Sequence, residues 1–337
     1  MPAHWNSENR PLSLHEFEER FPDDDTCADY LEAGRWPGGF VCPHCGCQRG
    51  WKLLVRQWTW ECRDCGRQTS VTSGTVMHGS KVPLKTWFLA AHLVATHSNG
   101  MSALQLHAKL GLGSYKTACL LLQKLRRAMI DPMRSKLSGA VEVDETVVPF
   151  YPKKEAEQDA QAVPPIGRLK GKIAVMGAVE LLDKGPGRIR LEVIADYSPD
   201  SLKEFIVSNI KFRTELTTDG FASYANLLGF TYKPKKSGEA STPRLEYTHK
   251  PIVISDKPAH EVLPWIHRVF ANLKRWALGV YHGFRKKYLD AYLNEFVFRW
   301  NRRHSYKSAF ERLIGIGLLI APATSSDIRS TAYGHPF

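Results

Sequence analysis

The chain has 337 residues, enough for two or three domains with full-sized cores, so a metal site in it is not needed to hold a miniature fold together. Its 43% apolar content is that of an ordinary globular protein; no stretch approaches the roughly 20 apolar residues of a membrane span, and the opening MPAHWNSENRP lacks the apolar core of a secretion signal, which predicts a cytoplasmic protein with no membrane partner. Lys and Arg number 46 against 34 Asp and Glu, a balance of +12 that favours a polyanionic partner through phosphate neutralisation.

Residues 1–36 read as an N-terminal segment. Residues 37–80 then carry two knuckles, Cys42-Pro-His-Cys45-Gly and Cys62-Arg-Asp-Cys65-Gly. In each, the glycine supplies a positive φ that turns backbone amides toward the sulfurs. WKLLVRQWTWEC between them alternates as a β-hairpin does, and QTSVTSGTV offers a third strand. Seven cysteines without an export signal favour metal over disulfides. The spacing therefore predicts a zinc ribbon in which Cys42, Cys45, Cys62 and Cys65 enclose a structural Zn²⁺. Cys47 lies outside the repeated pattern and reads as a bystander; Cys27 and Cys119 lack partners. Reduced cysteines packed as small hydrophobes are the plainer alternative, and the repeated spacing argues against it. A ribbon binds nucleic acid or protein equally well.

Residues 81–137 read as helices. Pro83 opens one from Leu84 to about Thr96, with Trp87, Leu89, Ala90 and Leu93 facing inward. Ser102 starts a short helix, Leu110-Gly111-Leu112-Gly113 turns the chain, and Ser114 caps a longer helix ending in Lys124, Arg126 and Arg127. That order fits a helix-turn-helix DNA-binding domain, with Tyr115, Lys116 and Thr117 as base-facing candidates and Arg126 and Arg127 as phosphate contacts; a plain helical bundle is the alternative.

From residue 138 strands take over. AVEVDETVV places Asp144 where a buried strand prefers an apolar side chain, and GKIAVMGAVEL and RIRLEVIADY follow as a second and third strand. SPDSLKEFIVSNI is a helix capped by Ser198, and TELTTDGFASY is a strand ending at Asp219-Gly220 before another helix. The pattern predicts an α/β domain over 138–305 with a mixed five-stranded sheet covered by helices, and residues 306–337 as a C-terminal tail, disordered beyond about Ala321. In such a sheet Asp144 and Asp219 can face each other as oxygen ligands for Mg²⁺, and two such ions suit phosphoryl transfer. Either carboxylate alone would read as an ordinary strand-end acid. Tyr151–Gly171 and Lys233–Thr248 are polar, unperiodic insertions.

VEVDET, TTDGFASY and IHRVFANLKRW, with the ribbon upstream, resemble the DDE-type transposases of bacterial insertion sequences over about residues 20 to 305. The resemblance implies an RNase H-like catalytic domain, binding to the element's terminal inverted repeats, and two Asp plus a third ligand holding divalent metal ions for strand cleavage and strand transfer. Asp144 and Asp219 match the first two positions. The third departs from the family's usual Glu: seven residues before Lys274, two helical turns away, stands His267. His267 tilts preference toward Mn²⁺ over Mg²⁺. Asn272, Glu261 and Glu295 are its rivals, and a core histidine or a phosphate contact is the plainer reading of His267. Glu295, Arg299 and Arg302 stand at i, i+4 and i+7, matching a family spacing; they make either a helical salt bridge or a DNA and metal contact. Lys274 and Arg275, interleaved with aromatics, are phosphate-contact candidates. The resemblance further implies double-stranded DNA as partner, at least a dimer on paired ends, and placement at the bacterial nucleoid. The competing expectation is a catalytically inactive DNA-binding protein or regulator derived from a transposase.

Overall fold

The computed structural model describes residues 9–149, 172–220, 224, 247–252 and 259–330. Most of both polar insertions, the helix expected after Asp219, the end of the strand HKPIVIS and the last residues of the tail lie outside that set. The described residues up to Pro132, with those from Arg302 onward, form one compact unit, and Met133–Asn301 form a second. Among the described residues no helix is long and apolar enough to cross a membrane.

In the first unit, Ser13 and Glu16 form a reciprocal capping box that starts α1 (Leu14–Arg20), and the Asp23 carboxylate accepts from Thr26 N at 2.8 Å to start α2 (Asp24–Arg35). Both helices deliver aromatic rings to a cluster of Phe17, Phe21, Tyr30, Phe88 and Phe310, with Phe17 edge-on to Phe310 at 5.6 Å. Strands β1 (Gly50–Lys52), β2 (Thr59–Cys62) and β3 (Gln68–Ser70) form an antiparallel meander. Phe40 lies flat on Trp60 at 5.1 Å beneath this sheet, and Arg35 donates to the carbonyls of Ser70 and Val71, tying α2 to β3. Gly50 is required there: a Cβ would stand 2.6 Å from Glu61 O and 2.7 Å from the Phe40 ring.

Three helices follow, α3 (Leu84–Thr96), α4 (Ala103–Leu110) and α5 (Tyr115–Arg127). Ser102 and Gln105 cap α4 reciprocally, Gly111 ends it at φ 57°, and Ser114 Oγ accepts from Lys116 N to start α5. The expected inward face of α3 needs correction. Trp87 and Ala90 are buried, but Leu89 and Leu93 are half-buried while Phe88, Ala91 and Val94 are buried. This helix is packed on several sides, by α2, α4, α5 and a C-terminal helix, so no single stripe describes it. The supposed tail needs correction as well: α10 (Ala309–Leu319) supplies Phe310 to the aromatic cluster, Gly317 O accepts from Val76 N, and α11 (Ser325–Ser330) follows with Ile328 buried.

The second unit is a five-stranded sheet of order β6-β5-β4-β7-β8. It comprises β4 (Ala140–Pro149), β5 (Lys172–Leu182), β6 (Gly185–Val193), β7 (Glu215–Thr218) and β8 (Thr248–Pro251). The first three pair antiparallel, while β7 and β8 join in parallel beside β4. Helix α6 (Pro199–Asn209), capped by Ser198, covers one face through Leu202, Phe205 and Ile206 against Val141, Val143 and Met176. The short α7 (Ala259–Val262), then α8 (Pro264–Tyr281) and α9 (Leu289–Asn301), belong to the opposite face, where Ile266, Val269, Phe270 and Leu293 meet Val148, Val175 and Val179. A sheet buried on both faces explains why β5 reads as a nearly unbroken apolar run.

Candidate active site and zinc centre

Strand β4 alternates by two, so Val141 and Val143 enter the core under α6 while Glu142, Asp144, Thr146 and Val148 point to the face covered by α8. Each of the three polar members meets α8. Glu142, buried, accepts from the backbone amides of Trp265 at 3.0 Å and Ile266 at 2.8 Å, satisfying two of the donors a helix start leaves open. His267 Nε2 stands 3.3 Å from Asp144 Oδ2. Two turns further on, Lys274 Nζ donates to Thr146 Oγ1 at 2.8 Å.

The second carboxylate acts on the same group. Strand β7 pairs in parallel with β4 up to Glu142↔Thr217, Asp219 follows β7 directly, and its charge is among those that raise the Asp144 carboxyl. Asp144 is 6% exposed, and burial first, then the nearby charge of Glu145, pushes its carboxyl up to about 8, with Asp219 and Glu142 adding to the rise against a hydrogen bond from Glu145 N. Glu145 points to the other face, where the Tyr224 hydroxyl donates to it at 2.5 Å; burial is the main reason its carboxyl too is raised. Burial also lowers the Lys274 ammonium, with Lys172 lowering it further and Asp144 opposing.

A buried carboxyl pushed up by neighbouring acids is a site that gains from a cation. Two carboxylates and an imidazole form a donor set suited to Mg²⁺ or Mn²⁺. By that chemistry Asp144, Asp219 and His267 fit a divalent ion, although they do not converge as tightly as the cysteines. The four thiols of Cys42, Cys45, Cys62 and Cys65 are the one group, among the described residues, of three or more His, Cys, Asp or Glu side chains whose ligand atoms all lie within 4.8 Å of one another. Cys42 Sγ is 3.7 Å from Cys65 Sγ, and Cys45 Sγ is 3.5 Å from Cys62 Sγ. A tetrahedron with Zn–S bonds of about 2.3 Å has edges of about 3.8 Å, so this cage matches structural zinc. Cys47 stays outside it, with Arg49 N donating to its sulfur.

Other sequence-derived candidates fall elsewhere. Glu295 is fully buried in α9 and accepts from the Tyr281 hydroxyl at 3.0 Å through both oxygens. Asn272 is half-buried and Glu261 exposed. The expected one-face spacing of Glu295, Arg299 and Arg302 needs correction, because α9 ends at Asn301 and Arg302 lies in the turn beyond. Burial and then Arg312 lower the Arg302 guanidinium to about 10, against Asp131. Arg299 is half-buried and Arg275 exposed. At the start of α5, Tyr115 and Lys116 are exposed and Thr117 half-buried. Arg126 is a correction: it is 2% exposed, because it falls on the inward side of α5, and this withdraws it from phosphate contact. Arg127 is half-buried and its guanidinium lowered by burial, against Asp327.

Sequence reading missed Glu142, Thr146 and Gly177. The alternation of β4 was signal enough for the first two. Gly177 pairs opposite Asp144, and a Cβ there would stand 2.6 Å from the Phe270 ring and 2.9 Å from Ile266 Cδ1, so its bareness lets α8 approach. Nothing local marks it.

Comparison with known families bears directly on this arrangement. Residues 136–301, the unit that holds Asp144, Asp219 and His267, match the ISXO2-like transposase domain, and residues 22–68 match the transposase zinc-ribbon domain. The chain carries an ISXO2-like transposase domain and a transposase zinc ribbon. It is also 26% identical over 311 residues, covering 86% of this chain and 97% of the other, to an uncharacterized protein in transposable element ISH50 of Halobacterium salinarum. The ribbon match spans α2 and the cysteine cage and stops at Gln68, the first residue of β3, and the transposase match ends at the last residue of α9.

Proposed function

We propose that this chain binds the terminal inverted repeats of an insertion sequence and catalyses metal-dependent DNA strand cleavage and strand transfer. The observation that supports this reading is the 3.3 Å approach of His267 to the buried Asp144 on one face of the five-stranded sheet, with the Asp219 charge among those that raise the Asp144 carboxyl. These three residues would hold the divalent ion, and His267 takes the third place ahead of Glu295, which the Tyr281 hydroxyl already engages. When bound, Mg²⁺ or Mn²⁺ supplies charge to a phosphodiester and acidity to an attacking water or 3′-hydroxyl. Asp144 and Asp219 present the negative charge that fixes where this chemistry happens. Lys274, held by Thr146 beside Asp144, is placed to steady the scissile or a flanking phosphate.

For DNA binding, α4, the Gly111 turn and α5 act as a helix-turn-helix whose exposed Tyr115 and Lys116, with Thr117, face the major groove. The zinc ribbon adds a second DNA contact, Arg275 a phosphate contact, and two copies join at paired ends. A catalytically inactive DNA-binding protein is the second reading, favoured by an imidazole in the third place and by the looser gathering of that trio compared with the zinc cage.

The deciding experiment uses a duplex carrying an element end. Wild type should cut it with Mg²⁺ or Mn²⁺, and Asp144→Ala should bind without cutting. Wild type that binds and never cuts with either ion leaves the inactive DNA-binding protein. Adding Mn²⁺ should also raise the melting temperature of wild type and not of Asp144→Asn. His267→Ala and Glu295→Ala in the same assays identify the third ligand.

A further inference from the structure

The β1–β2 connection of the ribbon carries Leu54 and Val55, 102% and 97% exposed. Among the described residues they are the only sequence neighbours in the set of exposed large apolar side chains; the others stand singly. Scattered apolar side chains on a surface need no explanation, but two adjacent ones projecting wholly into solvent from a hairpin tip do.

The tip is held firmly. Leu53 N donates to Thr59 O at 2.8 Å at its base. Trp58 closes it in the left-handed region at φ 54°, which a bulky residue adopts only where its surroundings fix it, and Trp58 Nε1 donates to the Asp25 carboxylate at 2.7 Å. On the far strand Gln68 accepts from the Arg56 guanidinium at 2.6 Å. Cations border the apolar pair: Arg56 follows it directly, and Lys52 precedes it by two residues, within reach of Asp29 and Glu32 on α2. Arg49, Arg63 and Arg67 lie further down the ribbon with Glu61 and Asp64, a positive balance over the hairpin itself.

We propose that Leu54 and Val55 form an apolar wedge that enters the minor groove of double-stranded DNA and partly unstacks a base step, while Arg56 and Lys52 contact the flanking phosphates. This deepens the DNA-binding reading above and rests on it. Aliphatic side chains carry no donor or acceptor for base edges, so they act by separating stacked bases and kinking the duplex, as apolar wedges on minor-groove proteins do. The bordering cations select a polyanion over a second copy of this equally basic chain. Preorganisation by Trp58 and Asp25 avoids the entropy cost of ordering a loop on the DNA.

The test uses the full chain with zinc and a mixed-sequence duplex labelled with a dye at each end, across a salt series. Wild type should bind and shorten the end-to-end distance. Leu54→Ser/Val55→Ser, which touches only solvent-exposed side chains, should bind at least tenfold more weakly at every salt, with the salt slope unchanged and the bend lost. Arg56→Gln should instead lower the slope by about one while the bend remains. A double variant that binds and bends like wild type overturns the wedge, as does one whose sole change is in sedimentation, which would mark a contact between copies. Wild type that binds without bending overturns the wedge alone. Wild type that fails to bind any duplex overturns the DNA-binding reading itself.

Discussion

Gly177→Ala should damage the second unit although it adds one methyl group on a strand. The register sets Gly177 opposite Asp144, and its Cβ would come within 2.6 Å of Phe270 Cε1, 2.9 Å of Phe270 Cζ and 2.9 Å of Ile266 Cδ1. Carbon atoms rest at about 3.5–4.0 Å, so the Phe270 ring must retreat by about 1 Å. Phe270 is 3% exposed and packed against the sheet, so the ring cannot swing aside, and helix α8 moves with it. Overpacking of this kind costs about 1–3 kcal/mol. For a unit of this size each kcal/mol lowers the melting temperature by about 2–4 °C, giving a fall of about 2–12 °C. His267 rides on the same helix, so its 3.3 Å approach to Asp144 opens past the range of direct contact. A shift of about 1 Å at a reacting site lowers turnover by up to about a hundredfold. Differential scanning calorimetry and single-turnover cleavage of an element-end duplex measure the two effects. Phe270→Leu in the same chain should recover part of both, since it removes the nearest clashing atoms. A Gly177→Ala protein with wild-type melting and cleavage would refute the claim that the bare backbone at 177 sets the seat of α8.

Three further outcomes follow from the same geometry. Glu142→Ala, which leaves the Trp265 and Ile266 amides without their acceptor, should cost about 1–3 kcal/mol in urea unfolding, while Glu142→Gln, still able to accept, should cost less; equal losses would mean that charge and not hydrogen bonding holds the helix start. Metal analysis should find one zinc per chain, and Cys62→Ser or prolonged chelation should release it and abolish the near-ultraviolet dichroism of the Phe40–Trp60 stack; a chelated protein with an unchanged signal would show that the cage folds without metal. Burial raises the Glu180 carboxyl, but the hydrogen bonds from Arg188 and the Ser138 amide outweigh it, so its value lies below that of an unfolded Glu. Its contribution is therefore complete above about pH 4.3 and lost as pH falls through the folded value, amounting to about 1 kcal/mol after allowance for the solvent-exposed Arg188; Glu180→Gln should destabilise at pH 7 and close the gap at pH 2–3, and a gap that widened in acid would reverse the sign.

What the sequence determined by itself is whatever depends on near neighbours. The cysteine knuckles, the helix starts at Ser102 and Ser114, the turn at Gly111 and the α3, α4 and α5 boundaries are short-range matters, settled by steric and hydrogen-bond preferences within a few residues. The mixed five-stranded sheet was also legible, because β-branched runs broken by turns and one capped helix leave few arrangements, and β4, which carries Asp144, does neighbour β7, which ends one residue before Asp219. Only the tertiary structure decided what crosses long separations. Glu142 and the helix start at Trp265 are 123 residues apart, and Phe17 and Phe310 nearly the whole chain, so their partnership follows from packing against surfaces that no local pattern describes. The same holds for Arg126, whose charge reads as a DNA contact until the fold turns it inward, and for Gly177, whose importance lies in a ring on another element. Burial is a property of the assembled layers, and so is the displacement of the Asp144 carboxyl that makes this site attractive to a cation.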